Sequence, residues 1–158
     1  MAYAEGTTVP VEKSIAEIVG LVKKAGAERV AQFDDPDFFA VQFQIRERMV
    51  RFRVNLPTIA DMPTRDGRGC SLSPAQRSAK RDQSHRQRAR ALLLVIKAKL
   101  ESIESGVETF EEAFLANVVM ANGQTLYERV REPLAMEYQT GQPNVMLLAG
   151  PGERGDGR

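Results

Sequence analysis

Apolar residues recur along this chain in two rhythms, and the change from one to the other marks out its elements. Ile15, Ile18, Val19 and Val22 fall at helical spacing, with Pro10 suited to a first helical turn and Gly26 to a C-terminal cap. A helix is expected over roughly Val11 to Ala25. The rhythm then becomes two: Phe39, Val41, Phe43 and Ile45 alternate with Ala40, Gln42, Gln44 and Arg46, and Val50, Phe52, Val54 and Leu56 alternate with Met49, Arg51, Arg53 and Asn55. With Glu47 and Arg48 as the turn, Phe43 pairs with Phe52 and Val41 with Val54 on an apolar face. Gln44 then meets Arg51, and Gln42 meets Arg53, on a polar and basic one. A weaker strand around Arg29 to Phe33, closed by the Asp34-Asp35-Pro36-Asp37 turn, completes a three-stranded antiparallel meander.

Residues 57–73 carry Pro57, Pro63, Gly67 and Gly69 with little periodicity and read as a long loop, a length that is usually functional or disordered. Ser73-Pro74-Ala75-Gln76 then combines an N-cap serine, a first-turn proline and a glutamine three residues on, which is a capping-box start. Ser84 offers a second start to the same helix, whose apolar stripe runs Ala89, Leu93, Ile96, Leu100 and Ile103 and ends near Gly106. The capping-box pattern recurs at Thr109 to Glu112 and Thr125 to Glu128, which predicts helices over about Phe110 to Met120 and Leu126 to Tyr138. Pro133 is expected to kink or end the last one. The fold class is therefore α+β: an N-terminal helix on a three-stranded antiparallel meander, a long central helix and two shorter helices. A single domain is expected over residues 1–148, followed by a Gly-rich flexible tail at 149–158.

Charge divides the second half of the chain. From Arg65 to Lys99 ten Lys or Arg face two Asp, a local net charge of +8, and from Leu100 to Glu137 eight Glu face two Arg, a local −6. The whole-chain value of +1 conceals both blocks. A concentrated basic block is the footprint of a polyanion-binding surface. The candidate contacts are Arg77, Lys80, Arg81, Arg86, Arg88 and Arg90 on the central helix, with Arg51 and Arg53 on the meander as outlying ones. Cations at the start of a helix oppose its dipole, so the placement asks for an anionic partner such as a phosphate backbone. At 100° per residue the charges point several ways, and that part of the helix is expected to project beyond the core. Two other readings use the same residues: pairing of the basic and acidic blocks within or between copies, or docking of a protein partner. The aromatics Phe39, Phe43 and Phe52 fall on the core register, so base stacking gets no support from the meander.

Other chemistry finds no constellation. Glu101, Glu104, Glu108, Glu111 and Glu112 lack the mixed ligands of a metal site and read as a solvated helix surface, and His85 and Cys70 are each alone of their kind. Gly67-Arg68-Gly69 lacks the lysine and hydroxyl residue of a phosphate loop, and Arg154-Gly155-Asp156 sits in the tail. No catalytic residue, metal or cofactor is expected. The lone cysteine and the absence of a long apolar run suit a soluble intracellular protein without a membrane partner.

Several stretches together resemble a set of small proteins of tailed phages and prophages that have no assigned function. They are VPVEKSIAEIVGLVKKAGA, VRFRVNLP, RQRARALLLVIKAKLESIESGVETFEEAFLANVV and NGQTL, with the lysine pair Lys97 and Lys99 and the TFEEAFLA run as distinctive parts. The resemblance implies a phage genome and the cytoplasm of a host cell; it carries over no site residue. The order helix, three strands, helix is also similar to that of the double-stranded RNA-binding domain. The chain lacks that family's Gly-rich turns and compact lysine segment, and its loop before the central helix is longer. The expectation is a non-enzymatic phage accessory protein that binds DNA or RNA backbone with low sequence specificity. The alternative is a protein-interaction module: a host-factor or defence inhibitor, or a self-assembling component.

Overall fold

The structure, a computed structural model, describes residues 4–144; the tail expected at 149–158 lies outside them. Helix α1 (Val11–Lys24) is followed by strands β1 (Glu28–Asp35), β2 (Phe38–Ile45) and β3 (Arg48–Asn55), which pair antiparallel in the order β1-β2-β3. The long helix α2 (Pro74–Glu104), the short α3 (Phe110–Phe114), a 3-10 turn (Leu115–Asn117) and α4 (Leu126–Thr140) complete the α+β fold.

Alternation decides which face of the sheet is core. Phe39, Val41, Phe43 and Ile45 from β2 and Val50 and Phe52 from β3 are buried against Ile18 and Val22 of α1 and Ala89, Leu92, Leu93 and Ile96 of α2. Phe110, Ala113 and Phe114 of α3 close one end of this layer. Phe114 meets Phe43 and Phe52 edge-on, with centroids 6.1 Å apart in both cases, while Phe43 and Phe52 stack at 6.5 Å. These are the favourable geometries for aromatic quadrupoles.

The strand register differs from the expected one by two residues: Phe43 pairs with Val50, Val41 with Phe52 and Gln42 with Arg51. The turn falls at Arg46-Glu47, both at positive φ (49° and 63°), as a two-residue mirror-image hairpin turn requires. An even shift keeps every side chain on its predicted face, so the core is unaffected. Only Arg46 leaves the basic face, its guanidinium lying 5.9 Å from the centre of the Phe110 ring. In β1 the register shifts between Glu28 and Ala31, where Arg29 also has positive φ.

The loop at 57–73 is held by local hydrogen bonds. Asp66 accepts the Arg68 and Cys70 amides at 2.9 Å, Asp61 accepts both groups of Thr58, and the Leu72 amide donates to the Thr64 carbonyl. α2 begins at Ser73 with a complete capping box, so Ser84 lies within it. The third helix is shorter than expected. After Phe114 the chain leaves the helix because Val118 pairs with Val50 at the edge of β3, with the Val119 amide donating to the Met49 carbonyl at 2.8 Å. α4 continues through Pro133 to a left-handed Gly141 cap. The carbonyl that proline deprives of its helical donor belongs to an exposed helix, where water can serve it.

Candidate nucleic-acid interface

Arg51 and Arg53 occupy alternate positions of β3 on either side of buried Phe52, so both side chains leave the sheet on its outer face. There they meet the start of α4. Gly123, at φ 80°, reverses the chain, and its carbonyl accepts Arg51 Nη2 at 2.8 Å. Thr125 caps α4 through Oγ1, which accepts the Glu128 amide at 3.2 Å, while the Glu128 carboxylate accepts the Thr125 amide at 2.8 Å and Arg51 Nη2 at 3.2 Å. One arginine thus ties the strand to the helix.

The first turns of α4 then present Tyr127 and Arg131, four residues apart and on one side of the helix, beside β3. A cleft of about 370 Å³ results, lined by Arg51, Arg53, Asn55, Asn117, Tyr127 and Arg131 among others. Arg53 is exposed and its guanidinium sits over the Phe38 ring, 3.9 Å from the ring centre, a cation-π contact. Asn117 donates to the Arg51 carbonyl at 3.2 Å. Three guanidinium groups face one carboxylate in this cleft, that of Glu128. The Thr125 amide bond, with Arg51 contributing after it, holds the Glu128 carboxyl below its ordinary value despite partial burial. The cleft also abuts the N-terminus of α4, so its field favours an anion.

The six candidate residues on α2 are used differently. Arg77 donates to the carbonyls of Ile59 (2.8 Å) and Met62 (3.2 Å), His85 Nε2 meets the Pro57 carbonyl at 2.8 Å, and Arg88 donates to the Asn55 carbonyl. Together they stitch the irregular segment 55–62 along one side of the helix. On another side Gln83 donates to the Glu5 and Thr7 carbonyls, Arg86 to Gln83, and Arg90 pairs with Glu17 of α1 at 2.9 Å. The basic half of α2 carries no buried residue before Ala89 and extends past the core, where the loop and the leader partly cover it. Arg81 pairs with its neighbour Asp82, and Lys80 is exposed without an ion pair among the described residues. Arg88, also exposed, is joined to the cleft through Asn55; the other five stand apart from it.

No family model, curated protein or solved structure matches this chain. The assignment of a site therefore rests on geometry. Tyr127, Arg131, Asn55 and Asn117 are the cleft residues that sequence reasoning missed. The pair Tyr127 and Arg131 at helical spacing is visible in the chain, but its neighbours on β3 are set by the fold. A larger concavity, about 650 Å³, opens between the end of α1, the β2-β3 turn and α2. Lys24, Arg46 and Lys97 share its rim with Glu101 and Glu104, so neither sign dominates. Among the described residues no group of His, Cys, Asp or Glu is arranged to hold a metal ion, and no helix is long and apolar enough to cross a membrane.

Proposed function

We propose that this protein is a non-enzymatic accessory protein that binds the backbone of nucleic acid with low sequence specificity. The contact surface is the cleft between β3 and α4, centred on Arg53 and Arg131, with Arg51 as its fixed wall and Arg88 as an outlying cation. One observation carries the reading: guanidinium groups from distant parts of the chain converge on a cleft whose single carboxylate is already held by Arg51 and a helix cap. Phosphates satisfy such an arrangement through charge-assisted hydrogen bonds without reference to base identity. The phage setting comes from the sequence resemblance alone.

The test is fluorescence anisotropy of labelled DNA and RNA oligomers at several salt concentrations. The double charge reversal Arg53→Glu with Arg131→Glu is expected to weaken binding more than tenfold at low salt. It should also make the logarithmic salt dependence shallower by roughly two, about one for each phosphate that the variant no longer neutralises. Unchanged retention by the folded variant, or no binding by the wild type at low salt, would overturn the proposal.

A second reading, a protein-interaction module, is favoured by α4 itself. None of its residues is buried, and Leu134, Met136 and Tyr138 stand exposed along it. A dimeric mass by light scattering at both low and high salt, with no nucleic-acid binding, would select this reading instead.

A further inference from the structure

We propose that the cleft takes nucleic acid as an unpaired strand, with the Tyr127 ring as the platform on which one base stacks; this rests on the backbone-binding reading above. Tyr127 is 57% exposed although it sits in the first, firmly capped turn of α4. An aromatic ring left in water beside cations loses the burial that normally stabilises it, whereas a base laid on the ring restores that burial. The second flat group in the cleft is the Arg53 guanidinium, held over the Phe38 ring 3.9 Å from its centre. Guanidinium planes stack on bases as aromatic rings do.

Both platforms require a base with a free face. In a duplex each face is covered by the neighbouring pair, and the edges are reached only through the grooves. At about 370 Å³ the cleft is at the small end of ligand-sized sites, which suits one splayed nucleotide. The side chains of Asn55 and Asn117 bring amide groups that donate and accept, so they accommodate any base edge and select none. Recognition of this kind is tolerant of sequence and strict about strandedness.

The experiment uses the full chain with four labelled probes of equal length: oligo(dT), oligo(U), an abasic oligomer and a duplex. The wild type should bind oligo(dT), oligo(U) or both about tenfold more tightly than the abasic strand, the scale of one stacked base. Tyr127→Ala should abolish that preference, and Tyr127→Phe should retain it. The side chain is exposed, so the variants keep the fold. Equal binding of abasic and base-bearing strands, or tighter binding of the duplex, would overturn the inference. If Arg53→Glu with Arg131→Glu still abolished that binding, the backbone reading would survive alone. If no probe bound at low salt, both would fall.

Discussion

Arg77, His85 and Arg88 direct their donors at backbone carbonyls between Asn55 and Met62, a segment whose irregular path gives those carbonyls no strand or helix partner. Hydrogen bonds from charged donors to such groups each stabilise by about 1.5–3 kcal/mol. Arg77→Met should therefore cost about 1–2 kcal/mol locally. Amide exchange at Asp61 and Met62 should accelerate, with little effect on nucleic-acid affinity because Arg77 lies outside the cleft. Protection unchanged at those amides would show that the loop holds itself. The same residues show what the sequence could and could not convey. Their sign and density are plain in the chain and suggest a polyanion surface. Their use as braces depends on the path of a loop with no periodicity, which no local pattern specifies.

α4 is attached chiefly through its beginning: the Thr125 and Glu128 box, the Arg51 bridge and packing on the 3-10 turn. Thr125→Ala should cost about 1 kcal/mol, the usual worth of an N-cap. Because α4 buries no residue of its own, the loss should appear as reduced helicity by circular dichroism and as weaker oligonucleotide binding. Acid should act on the same joint. The Glu128 carboxyl is held below its ordinary 4.5, first by the Thr125 amide, and Glu112 in the α3 box is held below 4.5 by the Thr109 amide. A depressed carboxyl contributes stability that is complete above the unfolded value and fades as pH falls through the lower folded one. Helicity should hold down to about pH 4.5 and decline below it, and Glu128→Gln, which removes the titrating carboxyl, should flatten that decline. An acid transition identical in Glu128→Gln and the wild type would show that this carboxyl does not govern it. The capping boxes at Ser73, Thr109 and Thr125 were legible because each is a local four-residue pattern. The Arg46-Glu47 turn was not, since neither residue is a glycine or asparagine that would signal positive φ, and α3 was overestimated because pairing of Val118 with Val50 overrides helical propensity.

Across the whole molecule Phe114 joins α3 to the rest of the core. It is fully buried, touches β2 and β3 through Phe43 and Phe52, packs on Phe110 of its own helix and has the Lys99 ammonium 5.8 Å from its ring centre. Lys99 also donates to the Ala113 carbonyl, which fixes α3 on α2. Phe114→Ala should lower the unfolding free energy by about 3–5 kcal/mol, read from the denaturant midpoint. A loss under about 1 kcal/mol would mean that the α3 end of the core repacks freely. The layer itself was readable from the period-two and helical stripes, because burial of one sheet face against two helices leaves the same mark at every turn. The β3-α4 cleft was not, because Arg53 and Arg131 are neighbours only after Arg51 has joined their elements. The two edges of the sheet are guarded in different ways. The β3 edge is occupied at Val50 by Val118, while the β1 edge is unpaired among the described residues but bent at Arg29 and charged at Asp34 and Asp35. Such an edge makes a poor template for another strand. Growth by continuous sheet, the usual road to fibres, is thereby discouraged.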